Sequence, residues 1–303
     1  VLTLANPVPA NTSPTAPKYR SAFAINPDLP TARMNQWSFD VERSLWKNAA
    51  LDVQYLGSHS YHLDRSYYLN TPLTPGPGAI NPRRPNQLFG TIRMIQNDVN
   101  SNYDGLNVVL RQNMSHGLTL LASYTWSHDL DVNSDSNAGG FPMNPYNWAG
   151  DYGNSSWDVR HRFVASFVYD LPFFRSASSA LVRTALGGWQ ANGILTAQTG
   201  FPFNVTVPGD PANTGSSNER PNLVGTPSST CGDGHLTGCI SPAAFALPAA
   251  FTYGNAGRNL LAGPDLVNLD FSLFKDFAIR ERARFQLRGE FFNTLNHPSF
   301  SNP

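Results

Sequence analysis

The sequence predicts an all-β fold, an antiparallel up-and-down transmembrane β-barrel segment, and three observations lead to this prediction. Apolar and polar residues alternate along many segments, as they do in strands with one apolar and one polar face. Short and long connections alternate between these segments, which is typical of outer-membrane barrels. Glycine and proline, with 24 residues each, suit turns and long loops better than helices.

About eight segments carry the strand pattern. The first two, Asn35–Leu45 and Leu51–Ser58, are separated by a tight turn and predict a hairpin. The other six are Asp104–Gln112, Gly117–Asp129, Arg162–Leu171, Gly188–Thr199, Val267–Phe274 and Ala283–Glu290. The Gly117–Asp129 segment is the clearest, because its apolar side ends in Tyr124 and Trp126 while Thr119, Ser123 and Thr125 lie opposite. Its apolar side would face lipid in a barrel and a core in a soluble β-sandwich.

Loop lengths and charged strand residues favour the barrel over the sandwich. Long connections are predicted near residues 60–102, 130–160 and 200–265, short ones near 46–49, 113–117 and 275–282, and a medium one with a helical turn at 172–187. Loops longer than about 15 residues are uncommon in compact soluble domains. Charged side chains on the polar faces would be costly in a dry core but tolerated in a water-filled lumen. These are Asp40, Glu42, Arg284, Arg288 and Glu290.

Aromatic residues lie near several strand ends: Trp37, Tyr55, Trp126 and Trp189. They predict an aromatic belt at a bilayer interface, with packing in a core as the alternative. Apolar runs are too short for a helical membrane span. The 21 basic residues balance the 21 acidic ones, so the charge predicts no nucleic-acid partner.

Several blocks, in order, resemble one family. They begin with Ser101-Asn-Tyr-Asp-Gly-Leu-Asn-Val-Val-Leu-Arg-Gln and Ser115-His-Gly-Leu-Thr-Leu-Leu-Ala-Ser-Tyr-Thr-Trp-Ser, and continue with Asp158-Val-Arg-His-Arg-Phe-Val-Ala-Ser-Phe-Val-Tyr-Asp-Leu-Pro. Gly187-Gly-Trp-Gln-Ala-Asn-Gly-Ile-Leu-Thr and Arg288-Gly-Glu-Phe-Phe-Asn-Thr-Leu-Asn-His-Pro-Ser-Phe follow. Together they are similar to the barrel of Oar-like TonB-dependent receptors.

The resemblance implies a C-terminal fragment of a barrel of about 22 strands. We therefore expect residues 1–31 to form a loop or linker and residues 32–303 to form the C-terminal part of the barrel, with its final strand missing. The plug, the TonB box and the N-terminal regulatory-like domain of the family are expected outside this chain. The implied location is the outer membrane of a Gram-negative bacterium, and the implied partners are outer-membrane lipid and the TonB-ExbB-ExbD energising complex, contacted through the plug.

Catalytic motifs are not found, and we expect no enzyme and no resident cofactor. Metalloprotease, nucleophile-elbow and phosphate-loop patterns are absent from the sequence. His59 and His62, beside Asp64, could hold a metal ion, although a solvated loop explains them better.

Three features of the long loops are candidates for binding or stabilisation. Cys231 and Cys239 predict a disulfide in an oxidising compartment. Alternating oxygen donors at Asp129, Asp131, Asn133 and Asp135 form a weak calcium candidate, since the glycine and glutamate of an EF-hand loop are lacking. Aromatic residues that could stack on a ligand, or pack the loop against itself, are Phe141, Tyr146, Trp148, Tyr152 and Trp157.

The function expected from these observations is uptake of an unknown bulky nutrient, such as a glycan, siderophore or peptide, through the barrel. One alternative is a surface-display or adhesion protein of the outer membrane that transports nothing. A second alternative is a secreted soluble β-sandwich that binds a ligand.

Overall fold

A computed structural model describes residues 19–134, 141–216, 218–228, 238–280 and 283–303. The strands are β1 (Arg20–Ile25), β2 (Arg33–Trp46), β3 (Ala49–Tyr68), β4 (Phe89–Ser115), β5 (Leu118–Asp131), β6 (Gly153–Asn154), β7 (His161–Asp170), β8 (Trp189–Gln198), β9 (Pro202–Phe203), β10 (Asn222–Leu223), β11 (Phe245–Ala246), β12 (Leu261–Ala262), β13 (Leu266–Arg280) and β14 (Ala283–Phe291). The one α-helix of the described residues, α1, spans Ala180–Leu186, and 3₁₀ turns lie at Asn81–Arg83, Trp148–Asp151 and Pro242–Ala244.

One large sheet contains the long strands, in the order β14-β13-β8-β7-β5-β4-β3-β2. Every neighbouring pair on this path is antiparallel, and each long strand lies beside the next long strand of the chain. This is the up-and-down order that the sequence predicts. Within the described residues the path ends at β2 on one side and β14 on the other.

The register places the large apolar residues of these strands mainly on one face, with Val109, Leu121 and Val164 among the exceptions. One row across the sheet runs Val41, Val53, Val108, Tyr124, Phe163, Ala197 and Val267. The adjacent row, on the opposite face, runs Asp40, Gln54, Asn107, Thr125, Arg162 and Gln198. Many large side chains of the apolar face are exposed, including Phe39 at 68% and Phe285 at 55%. An apolar face that nothing in the described chain covers is the arrangement expected for a lipid-facing surface.

The turns sort to two ends of the sheet. Two-residue turns join β2 to β3 and β4 to β5, and in the second turn both His116 and Gly117 have positive φ angles, of 51° and 83°. Two positive φ angles give a turn whose twist matches that of a hairpin. The β7–β8 connection, which holds α1, lies at this same end, here called the short-turn end. The long connections 69–88, 132–160 and 199–265 lie at the opposite, long-loop end.

Two observations refine the sequence prediction. Strand β3 continues to Tyr68 and β4 begins at Phe89, so much of the loop predicted at residues 60–102 is a strand hairpin. In the segment predicted as a linker, β1 pairs in parallel with the outer part of β4, from Phe89 to Ile95. At the long-loop end, the hairpin of β3 and β4 extends beyond the end of β5, because the last residue of β5, Asp131, pairs with Ser101 of β4.

The residues most shielded from solvent lie among the long loops and are largely polar. They include Asn70, Arg84, Asp151, Thr214, Glu219, Arg220 and Asn259, each at most 8% exposed. Buried polar groups need partners. Asn70 and Glu219 find them within their own loops, and Arg220 and Asn259 find them in another loop. The ordered interior of this chain is therefore a hydrogen-bonded loop layer at one end of the sheet.

Candidate ligand-binding site

Three long loops interlock at the long-loop end: the first loop is residues 69–88, the second 132–160 and the third 199–265. The Tyr146 hydroxyl of the second loop donates to the Thr71 carbonyl oxygen of the first at 2.6 Å. From the third loop, the Asn213 amide donates to the carbonyl oxygens of Gly76 and Gly78 in the first, each at 2.8 Å. Because these bonds cross between loops far apart in sequence, they hold the loops as one layer.

Arg220 joins the third loop to the second through a buried guanidinium. It forms an ion pair with Asp151 and also donates to the carbonyl oxygens of Ala256 at 2.8 Å and Gly150 at 3.0 Å. Both charged side chains are about 5% exposed or less. Burial raises the pKa of the Asp151 carboxyl, and the Arg220 charge opposes that shift. The pair is satisfied by hydrogen bonds on the arginine side, as a buried charge requires.

Arg258 makes a second link between the same two loops. Its guanidinium pairs with the Asp131 carboxylate and donates to the Asp151 carbonyl oxygen at 2.7 Å and to the Ser134 hydroxyl at 3.1 Å. Burial lowers the pKa of Arg258 to about 10, so the group stays charged at neutral pH. This arginine thus connects the end of β5 to the third loop.

Glu219 is fully buried in the third loop. Its carboxylate oxygens accept from the Ala212 backbone N–H at 3.1 and 3.3 Å. Burial, with a further contribution from a hydrogen bond to Asp210, raises the pKa of Glu219 to about 8. Asp210 in turn accepts from the backbone of Thr214 and Gly215. With its pKa raised, Glu219 keeps its proton at neutral pH and can pack beside the Asp210 carboxylate.

A cavity of about 350 Å³ opens between the second and third loops. Its lining includes Phe141, Trp157, Asn204, Asn218, Arg220 and Arg258. A neighbouring cavity of about 260 Å³ lies beyond the Arg220–Asp151 pair, which lines both. Within the described residues, no donor reaches the buried Oδ2 atom of Asp151. The larger cavity combines an apolar surface, amide groups and charge, which suits a ligand of mixed polarity.

The structure brings two of the five predicted aromatic residues to this cavity. Phe141 stacks on Tyr68 of β3, with ring centroids 4.4 Å apart and planes inclined by 5°. Trp157 is 70% exposed, and its indole N–H donates to the Ser134 carbonyl oxygen at 3.3 Å.

The other three aromatics, Tyr146, Trp148 and Tyr152, are not among the residues that line this cavity. Tyr146 ties loops together, and the Tyr152 hydroxyl accepts from the Asn102 amide at 2.6 Å. For Tyr146 and Tyr152, the alternative of packing within the loops therefore fits better than ligand contact.

The remaining predicted sites stay predictions. Asp135 and Cys231 lie outside the described residues, and Cys239 is buried. The Asp131 carboxylate is engaged by Arg258 and by the Ser134 hydroxyl, so a calcium ion would compete with an arginine there. In the described part of the chain, no group of three or more His, Cys, Asp or Glu residues is placed to hold a metal ion.

The site residues that sequence reasoning missed are the charged ones, Arg220, Arg258, Asp151 and Glu219. None belongs to a motif; Glu219 and Arg220 are adjacent, but Arg220 is 69 positions from its partner Asp151. One sequence signal could have found them. Charged residues make up only 14% of the chain, and these four lie in loops rich in glycine and proline. A charged residue in such a loop is a candidate for an inter-loop contact.

The sheet has one exposed apolar face and one polar face, with short turns at one end and long loops at the other. This combination defines an outer-membrane β-barrel protein. No helix of the described residues has the length and apolar character to cross a membrane. A family model described as outer membrane beta barrel domain matches residues 1–303, and the chain belongs to this family. The protein is thus located in the outer membrane, as predicted, and the soluble-sandwich alternative is wrong.

Comparison with solved structures yields a match to the outer membrane transporter YddB from Escherichia coli. The TM-score is 0.47 at 7% sequence identity, and the match covers 89% of this chain and 29% of that chain. The chain thus spans less than a third of the length of that transporter. No curated protein matches the chain.

Proposed function

We propose that this chain is the barrel part of an Oar-like TonB-dependent receptor that carries a bulky nutrient across the outer membrane. The observation that carries the proposal is the cavity of about 350 Å³ in the interlocked loop layer. Outer-membrane barrels keep their short turns in the periplasm, so this layer faces the outside. A preformed, mixed-polarity cavity on that side is suited to capture a ligand before transport.

Transport, rather than catalysis, is the activity that this arrangement supports. In the larger cavity, the charges of Arg220 and Arg258 are engaged by Asp151 and Asp131. Ion pairs of this kind hold the two loops in place, which is a structural role. The resemblance adds a plug and the TonB-ExbB-ExbD complex as the source of energy.

Uptake experiments on the full-length protein in a Gram-negative host test this proposal. Cells receive fluorescently labelled oligosaccharides, oligopeptides or ferric siderophores, each too large for general porins. We expect one of these classes to accumulate in the periplasm only when TonB is present. Surface binding that is equal with and without TonB, with no accumulation, would instead assign the protein to surface display or adhesion.

Trp157→Ala tests whether the cavity is the point of ligand contact. The exposed indole offers a stacking surface, and its loss should weaken uptake of the transported probe by about fivefold, equivalent to about 1 kcal/mol. Trp148→Ala is the matched control, because Trp148 is an aromatic of the same loop outside the cavity lining. An equal loss of uptake in both variants would point to a general effect on the loop.

A further inference from the structure

At the short-turn end, the connection between β7 and β8 folds back onto the apolar face. The Trp189 indole N–H donates to the Ala185 carbonyl oxygen at 3.2 Å, and the Lys275 ammonium donates to the Gly187 carbonyl oxygen. Lys275 pairs with Trp189 in the register, and both belong to the apolar face. The C-terminal end of α1 therefore lies on the lipid side of the sheet, at the periplasmic boundary of the membrane.

The connection also exposes large apolar side chains where it meets this boundary. Leu181 and Leu186 of α1 are 79% and 50% exposed, and Phe173 and Phe174 just before the helix are 61% and 52% exposed. Exposed apolar side chains on a short segment at a bilayer surface insert among the acyl chains. The segment thus lies in the membrane interface.

A cavity of about 390 Å³ opens between this connection and β13. Three cationic side chains line it, namely Arg175, Arg183 and Lys275, with Asp276 as the single acid of the lining. Lys275 is 3% exposed, and its ammonium lies 5.6 Å from the Trp189 ring and 5.1 Å from the Phe277 ring. In the described part of the chain, no carboxylate forms an ion pair with Lys275 or Arg183. The cavity is therefore cationic and opens beside the acyl-chain region.

We propose that this cavity binds the phosphate group of an anionic phospholipid from the periplasmic leaflet. Arg183 and Lys275 form no ion pair with an acid of the described chain, Asp276 is the one acid that faces three cations, and Arg175 is held only loosely by Asp170 at 3.8 Å. The acyl chains lie along Leu181 and the apolar face. Basic pockets at a membrane boundary recognise lipid head groups in this way, with the charge on the protein matched to the phosphate.

Native mass spectrometry of the full-length protein, titrated with phosphatidylglycerol in detergent, tests the proposal. The double variant Arg175→Gln/Arg183→Gln should bind the lipid about 25-fold more weakly, about fivefold for each arginine. Both side chains are exposed, so the variant should fold. If the double variant retained as much phosphatidylglycerol as the unchanged protein, the proposal would be overturned.

Arg111→Gln is the matched control. Arg111 is 46% exposed and pairs with Asp52 at 3.5 Å, much as Arg175 is 48% exposed and pairs with Asp170, but it belongs to β4 and does not line the cavity. We expect this variant to retain the lipid fully, and an equal loss would show that net charge alone governs binding.

Inorganic phosphate, added alone or in competition, separates a lipid site from a small-anion site. The lipid assignment predicts that millimolar phosphate neither gives a retained adduct nor displaces phosphatidylglycerol. Displacement would overturn the assignment. Leu181→Gln should also weaken retention of the lipid, because it removes an apolar contact and leaves the cations in place.

Discussion

At the scale of single residues, buried charges hold the loop layer together. The Arg220–Asp151 pair is almost fully shielded from water, whereas the Arg111–Asp52 pair is partly exposed. Breaking a buried pair leaves one charge without compensation, which costs far more than breaking an exposed pair. The two pairs therefore allow a direct comparison within one chain.

Arg220→Leu should destabilise the packing of the loop layer by about 3–5 kcal/mol, because the Asp151 carboxylate would stay buried without its partner. Arg111→Leu should cost about 0–1 kcal/mol. Limited proteolysis of the full-length protein in detergent measures both effects as cleavage within residues 132–160 and 199–265. Equal cleavage in the two variants would contradict the structural role assigned to Arg220.

Glu219 makes the third loop sensitive to pH. Its pKa in the folded loop, about 8, lies above the value of 4.5 expected in an unfolded loop. The folded loop thus holds the proton more tightly, so its stability is greatest below pH 4.5 and falls as the pH rises toward 8 and beyond.

We expect cleavage within residues 199–265 to increase between pH 5 and pH 9, after correction for protease activity on an unfolded peptide. Glu219→Gln should remove most of this increase, because the amide keeps the shape of the protonated acid but cannot ionise. Asp28→Asn is a control at an exposed acid away from the loop layer, and should leave the pH profile unchanged. If cleavage of Glu219→Gln still increased with pH, the pH dependence would belong to another titratable group.

At the scale of strands, the two faces of the sheet can be tested chemically. Tyr124 and Thr125 are neighbours on β5, but Tyr124 aligns with Val108 and Phe163 while Thr125 aligns with Asn107 and Arg162. In the folded barrel, one position faces lipid and the other faces the aqueous lumen.

Thr125→Cys should react with a water-soluble maleimide in the assembled protein, and Tyr124→Cys should react much more slowly. Labelling is measured by mass spectrometry in membranes, with Cys231→Ser/Cys239→Ser as the background. Both positions should react equally after denaturation, which controls for intrinsic reactivity. Faster labelling at position 124 would reverse the assignment of the faces.

The strands could be predicted from the sequence because a period of two is a local signal. Leu118 to Trp126 shows it without reference to any other segment. Sequence reasoning missed the extension of β4 back to Phe89, because the alternation from Thr91 to Met94 is short and breaks at Ile95, where two apolar residues are adjacent. Its pairing with β3 and β1 joins residues that are distant in sequence. Arg220 acquires its role only when distant loops meet, and Glu219 only when its own loop folds back onto Ala212, so no sequence motif marks either residue.

At the scale of the molecule, the sheet has two open edges in the described residues, β2 and β14. Unpaired backbone groups at such edges attract other strands, and in lipid they are strongly disfavoured. A barrel removes both edges by closing on itself. The strands of this chain therefore need further strands on both sides to reach a stable membrane structure.

The chain of residues 1–303, produced alone and refolded in detergent, should form mixed oligomers through these edges. Size-exclusion chromatography with light scattering measures this. The full-length receptor of the proposed function should elute as one species, because a closed barrel leaves no open edge. A monodisperse monomer of residues 1–303 would show that the sheet can close or protect its edges without additional strands.

The stacking of Phe141 on Tyr68 has a consequence for the thermodynamics of capture. Tyr68 belongs to β3 of a long hairpin, and Arg93, on β4 of the same hairpin, lies 5.3 Å from the Phe141 ring. That wall of the cavity is already ordered before any ligand arrives. Ordering one mobile side chain on binding costs about 0.5–1.5 kcal/mol. Because the Phe141 wall is already packed, this cost arises only where the exposed Trp157 side chain is ordered by the ligand. Affinity gained in this way is expected to appear as slow release of the ligand.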